Sequence, residues 1–158
     1  MESLNLKRTM YLTEDEIRDN AKVILGFDEK DPDVKQGTGQ ITTFNQLGFK
    51  GVSDKPDGWY LPNDKQDIAI ILETKSEKED VFSEKHYAEL VKNIEIAALQ
   101  YKRVVGILYN GTDVRVIKYI KGSEQYEEIA DVAKTLQNKR YYIALFKDCL
   151  LYTSDAAD

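Results

Sequence analysis

The stretch Pro56-Asp57-Gly58-Trp59-Tyr60-Leu61-Pro62-Asn63-Asp64-Lys65-Gln66-Asp67-Ile68-Ala69-Ile70-Ile71-Leu72-Glu73-Thr74-Lys75 decides the fold. Ile68 to Leu72 is an unbroken apolar run, mostly β-branched or Leu, and such a run predicts a strand buried on both faces. Gly58 to Leu61 reads as a strand led by Asp57, and Pro62-Asn63-Asp64 reads as the turn that lets the two strands pair as a hairpin. Glu73, Thr74 and Lys75 are not expected from the hydrophobic pattern. The two-residue repeat of a strand points Glu73 and Lys75 to one face, side by side at the strand end. The hairpin brings Asp57 toward Glu73.

Outward from this hairpin, Thr13 to Leu25 predicts a first helix. Thr13 and Glu16 have the spacing of a capping box, Ile17, Ala21, Ile24 and Leu25 form an apolar stripe, and Gly26 stops the run. Phe27 to Gln40 is charged and Gly-rich and reads as a mobile connection. Its Gly37-Thr38-Gly39 is followed by no Gly-Lys-Ser/Thr and is not a phosphate-binding loop. Ile41 to Phe49 is expected to be the first strand. Downstream, Ser83 to Arg103 predicts a long helix with Tyr87, Leu90, Val91, Ile94, Ala97, Ala98 and Tyr101 on one side. Val104 to Tyr109 and Val114 to Ile120 predict two strands, with Asn110-Gly111 as a two-residue hairpin signal. Glu124 to Asn138 is expected to be a weakly amphipathic helix, and Tyr141 to Phe146 the start of a strand. The order is helix, three strands, helix, two strands. With the long helix as a crossover, it predicts an α/β fold with a mixed central sheet flanked by helices.

The bulk properties bound the function. The chain has 158 residues, 42% apolar and 32% charged, which suits one folded domain with a real core. No apolar run approaches the length of a membrane span, and the start lacks a secretory signal, so no membrane partner and a cytoplasmic location are expected. The net charge of −6 disfavours a free-standing nucleic-acid binder, whose affinity comes largely from Lys and Arg on phosphates. Charge is uneven, however. Lys102, Arg103, Arg115, Lys118 and Lys121, against Asp113 alone, make one segment +4, read equally as a solvated face or a binding surface.

Two carboxylates beside an ammonium suit a hard divalent cation. Mg²⁺ takes oxygen ligands and often only one or two carboxylates, and a bound cation acidifies an attacking water. A neighbouring lysine can hold or deprotonate that water, or offset charge on phosphorus. Pro56-Asp57 followed by Glu73-Thr74-Lys75, on two adjacent strands ahead of a long helix, resembles the PD-(D/E)xK nuclease superfamily. Within it the chain is most similar to the N-terminal nuclease region of type I restriction endonuclease subunits, over Thr13 to Ile120. The resemblance implies a restriction-endonuclease-like α-β-β-β-α-β-β core. It also implies a Mg²⁺-dependent deoxyribonuclease, with Mn²⁺ as an alternative metal, that acts as an endonuclease on DNA in restriction or defence.

By the same resemblance, Asp57, Glu73 and Lys75 are catalytic. Asp57 and Glu73 hold the metal together with the carbonyl of Thr74. Gln100 is an accessory residue, and an acid on the first helix, Glu16 or Asp19, completes the site. The family's Gln-x-x-x-Tyr spacing is absent, because Tyr101 directly follows Gln100 and Val104 takes the fourth place. Glu16 has a simpler role as the capping partner of Thr13. Two rival functions are a junction resolvase or repair exonuclease of the same superfamily, and a catalytically decayed domain that binds DNA or protein.

Other residues are read as structural. His86, the sole histidine, is expected at the surface or in a helix cap, and Trp59 and Tyr60 in packing. No Ser-His-Asp or Cys-His set can be assembled. The last residues, Cys149-Leu-Leu-Tyr-Thr-Ser-Asp-Ala-Ala-Asp158, resemble the translation of a transposase-type sequencing adapter. On that reading residues 1–148 form a single nuclease-like domain, cut short at its C-terminus. Further domains or subunits of a restriction or defence system are then the expected partners. Without Asp155 and Asp158 the acidic count falls from 28 to 26 and the net charge from −6 to −4.

Overall fold

A computed structural model describes residues 11–146 except Glu124, so the tail from Cys149 to Asp158 lies outside the described residues. Thr13 begins the first element. Its hydroxyl accepts from the Glu16 N–H (3.2 Å) while the Glu16 carboxylate accepts from the Thr13 N–H (3.1 Å), the capping box that precedes α1 (Glu14–Leu25). Gly26 ends α1 in the left-handed region at φ 78°. Then follow β1 (Val34–Thr38), a 3₁₀ turn (Asn45–Leu47), β2 (Gly58–Pro62), β3 (Ala69–Thr74), α2 (Glu84–Ala97), β4 (Arg103–Tyr109), β5 (Val114–Ile120) and β6 (Gln125–Glu128). Residues 139–146 are helical and are called α3. Among the described residues no helix is long and apolar enough to cross a membrane.

The strands form one mixed sheet of six in sequence order, β1-β2-β3-β4-β5-β6. Only β3 and β4 are parallel, because α2 carries the chain back across the sheet between them. The expected α/β architecture, the β2–β3 hairpin and the crossover helix are all present. Strand β3 is buried at every position. Ile68, Ile70 and Leu72 join α1 and α3 residues on one face, among them Ile17, Ala21, Leu25, Tyr142 and Phe146. Ala69 and Ile71 join Leu90, Ile94 and Ala97 of α2 on the other. Fully burying a side chain such as Leu90 or Ile94 contributes about 1.5–3 kcal/mol. Alternation therefore aims Glu73, next in the odd-numbered row, at α2.

Several expectations are corrected. The first strand is Val34–Thr38, inside the segment read as a mobile loop, and Ile41 to Phe49 is not a strand. There Thr43 and Gln46 form a small capping box (Gln46 N–H to Thr43 Oγ1 3.1 Å, Thr43 N–H to Gln46 Oε1 2.8 Å). Phe44 and Phe49 then meet edge to face at 5.3 Å inside the core. The long helix ends at Ala97, and tighter turns carry Leu99 and Gln100 before β4 begins. Asn110-Gly111 does not make a two-residue turn: the loop runs from Asn110 to Asp113, and Asn110 Oδ1 accepts from the N–H groups of Thr112 (3.0 Å) and Asp113 (2.7 Å). The helix expected over Glu124 to Asn138 is replaced by β6 and irregular chain, because the open edge of β5 offers a ladder. Lys118 pairs with Glu127, and Tyr119 stacks on Tyr126 at 4.7 Å. The strand expected from Tyr141 is helix, with Asn138 Oδ1 accepting from the Arg140 N–H (3.0 Å) and Tyr142 and Phe146, four apart, facing the sheet.

Gly58 sets the fit between β2 and β3. It lies opposite Leu72, and a Cβ there would sit 2.8 Å from Leu72 Cδ2 and 2.9 Å from Leu72 Cβ. Gly58→Ala is therefore expected to lower stability by about 1–3 kcal/mol, the usual range for overpacking. It should show as a lower urea midpoint with an unchanged m-value; a wild-type midpoint would show that the contact relaxes without cost.

Candidate active site

The ladder between β2 and β3 pairs Gly58 with Leu72. One step further along the same antiparallel register, Asp57 falls opposite Glu73. Thr74 then anchors Asp57, its N–H donating to Asp57 Oδ2 at 2.8 Å and its hydroxyl to the same oxygen at 3.3 Å. Thr74 thus does more than offer a carbonyl, since it aims the neighbouring carboxylate. Glu73 is 6% exposed. Burial, and next the charge of Asp57, push its carboxyl well above the ordinary range; an Asn93 hydrogen bond and Lys75 act the other way.

Lys75 completes the expected trio. Its ammonium donates to Glu89 Oε2 at 3.0 Å. Burial alone would lower its pKa, but Glu89, by hydrogen bond and charge, and then Glu73 and Glu14 outweigh this and raise it. The three residues predicted from the strand ends therefore lie together.

The accessory residues differ from those expected. Gln100 lies beyond the end of α2, where its side chain donates to the Gly48 carbonyl at 2.7 Å, a loop contact away from the carboxylates. Asn93 is the amide at the site: it is 7% exposed and donates to Glu73 Oε1. Its signal in the sequence is a polar residue on the buried side of α2, three residues after Leu90 and one before Ile94. Glu16 is committed to its capping box, and Asp19 is exposed. The helix acid that faces the site's charges is Glu14, whose carboxyl is raised by burial and then by Asp57, against the pull of Lys75 and Arg18. Spacing along α1 does not single out Glu14, because the first turn carries Glu14, Asp15 and Glu16 in succession. His86 is buried rather than exposed, at 6%, with Nδ1 2.8 Å from Glu89 and Nε2 3.3 Å from Glu79. Trp59 is buried, and Tyr60 stacks on Phe27 at 6.0 Å, so both pack as expected.

The basic segment separates in space. Arg115 is held by Glu128 through two hydrogen bonds (3.0 and 2.8 Å) and Lys118 by Glu127 at 3.5 Å. Lys102 and Lys121 instead line a cleft of 310 Å³ with Lys65, Gln66, Gln100 and Tyr101. That cleft lies at the starting ends of β3 and β4, opposite the end that carries Glu73.

The donors suit a hard cation. Among the described residues no three His, Cys, Asp or Glu side chains group to hold a metal. Asp57 and Glu73 are the two carboxylates that meet at the strand ends, and carboxylate oxygens are the donors such a cation takes. A cation would relieve the crowded negative charge at Asp57 and Glu73. Asn93 Oδ1, buried without a hydrogen-bond partner, is a further acceptor beside that pair which a bound water could satisfy. No family model, curated protein or solved structure matches this chain.

The charge crowding has a pH signature. Below about pH 4.3, where an unfolded Glu takes up its proton, Glu73 is protonated in both states and its raised pKa costs the fold nothing. As pH rises toward the folded-state pKa, the unfolded chain releases its proton first and the fold loses stability. Glu73→Gln does not titrate. It should melt above the wild type at pH 7–8, with the gain fading on acidification to about pH 4. Equal or lower melting temperatures across that range would show that the carboxylate is not under charge stress.

Proposed function

We propose that this chain is a divalent-metal-dependent nuclease domain that hydrolyses DNA phosphodiester bonds, built on a restriction-endonuclease-like α-β-β-β-α-β-β core. The observation that carries the reading is the meeting of Asp57, Glu73 and Lys75 at adjoining strand ends, with Thr74 fixing Asp57 and Asn93 fixing Glu73. Asp57, Glu73 and the Thr74 carbonyl would hold Mg²⁺, or Mn²⁺ in its place. When bound, the ion supplies an acidified water and neutralises charge on the phosphate. The chain's own residues do the rest. Asn93 keeps the Glu73 carboxylate oriented, and Lys75, held as an ammonium by its acidic neighbours, offsets the charge that develops on the phosphate oxygens. Glu14 adds negative charge at the rim from α1.

An acidic chain of this kind needs help to retain DNA. Further domains or subunits of a restriction or defence system, in the cytoplasm, fit that need. Incubation with circular, linear and branched DNA tests the reading. The wild type is expected to cut circular DNA in Mg²⁺, and Glu73→Ala and Asp57→Asn to lose that cleavage. Cutting confined to branched substrate would move the assignment to a junction resolvase, and cutting confined to ends to an exonuclease. Mg²⁺ at a hundred times its Kd should also stabilise the wild type by about 2.7 kcal/mol. A wild type that neither cuts DNA nor gains stability from Mg²⁺ or Mn²⁺ overturns the nuclease reading in favour of a binding domain.

A further inference from the structure

We propose that Glu89 is the positioning residue of this site: one of its carboxylate oxygens holds the Lys75 ammonium while His86 fixes the other. The proposal deepens the nuclease reading and rests on it. Three residues of α2 carry it. His86, Glu89 and Asn93 follow at steps of three and four, so they line one face of the helix. That face is turned to the end of β3, where Asn93 meets Glu73 and Glu89 meets Lys75.

The contacts run in series. Glu89 Oε2 accepts from Lys75 Nζ at 3.0 Å, and Glu89 Oε1 lies 2.8 Å from His86 Nδ1. The other ring nitrogen lies 3.3 Å from Glu79 Oε2, on the loop that leaves β3. A carboxylate oxygen only accepts, so the shorter contact is a hydrogen bond from the Nδ1 N–H to Glu89. The ring side chain is 8% exposed and the His86 N–H is capped by Ser83 Oγ at 3.2 Å, so the anchor of the series is itself fixed. A carboxylate engaged at both oxygens has no free rotation. Lys75 is thereby held at one place.

The arrangement matters because Lys75 feels the charge of other carboxylates as well. Glu73 and Glu14 both act on its charge. An ammonium collapsed onto Glu73 would neutralise an oxygen that a divalent cation needs, and it would be lost to the phosphate. Glu89 lies outside the proposed metal donor set. Pairing there keeps the ammonium beside the site but off the metal ligands. Of its three N–H donors, two remain available for a phosphate oxygen or a water. With the Glu89 side chain 42% exposed, water screens the pair and it adds little to stability. Its effect is on position, not on folding.

Glu89→Gln and Glu89→Asp in the full chain test this. Gln keeps the shape and removes the charge, and Asp keeps the charge. Glu89→Gln is expected to lower kcat roughly 10–100-fold, the range for partners behind a metal site, with KM for DNA and the melting temperature little changed. Glu89→Asp should recover part of the loss. Wild-type kcat in Glu89→Gln, or a loss that follows melting temperature, overturns the proposal. A second measurement does not depend on cleavage. His86 is the sole histidine, so its ring ¹⁵N signals are read without overlap. Lys75→Met, two contacts away through Glu89, should shift those signals at fixed pH, and an unchanged ring overturns the series. If the wild type cuts no DNA, the nuclease reading fails by itself, while the ring signals still decide whether Glu89 couples the two residues.

Discussion

The register between β2 and β3 places two carboxylates opposite each other, and the site depends on it. A slip of one residue would turn every side chain of β2 to the other face and carry Asp57 away from Glu73. Close packing of Leu72 over Gly58 holds this register, because no Cβ intervenes. The same pairing continues into the hydrogen bonds from Thr74 to Asp57. The repulsion this creates is tolerated because β3 is locked on both sides, antiparallel to β2 and parallel to β4, with apolar side chains on both faces. Charge stress at a functional site is commonly borne by the rest of a fold in this way.

The polar face of α2 is the second half of the site. A helix packed on a sheet usually buries only apolar residues. Here α2 buries Leu90, Ile94 and Ala97 over the sheet and, toward its strand-end side, His86 and Asn93. Three polar side chains of α2 meet charged groups of the β3 end or its loop: Asn93 meets Glu73, Glu89 meets Lys75 and His86 meets Glu79. The strand end supplies the charged groups and the helix sets their orientation. The crossover that makes β3 and β4 parallel is also what brings the helix there.

Much of this was legible along the chain. The apolar run Ile68 to Leu72, the Thr13–Glu16 box and the apolar stripe of α2 all reflect local chemistry, and the elements they predict are present. The misread segments share a cause. The stretches around Phe44, Tyr126 and Tyr142 have modest intrinsic preference, and their form was decided by what lay beside them: the core for Phe44, the free edge of β5 for Tyr126, the sheet face for Tyr142. Local cues were present in Thr43–Gln46 and Asn138, but each is a single cap, and neither outweighs the apolar pattern until packing is known.

Residue order alone put Asp57, Glu73 and Lys75 forward as the candidate site, because the hydrophobic pattern gives them no structural reason to be there, and because side chains alternate along any extended strand. Tertiary structure alone decided their partners. Asn93 meets Glu73 while Gln100 meets the Gly48 carbonyl, Glu14 faces the charges of Asp57 and Lys75 while Glu16 caps its helix, and the buried His86 stands behind Glu89. These depend on where α2 stops and on which turn of α1 faces the strand ends. Both are set by packing across the sheet between residues far apart in the chain, and spacing along the sequence does not encode that distance.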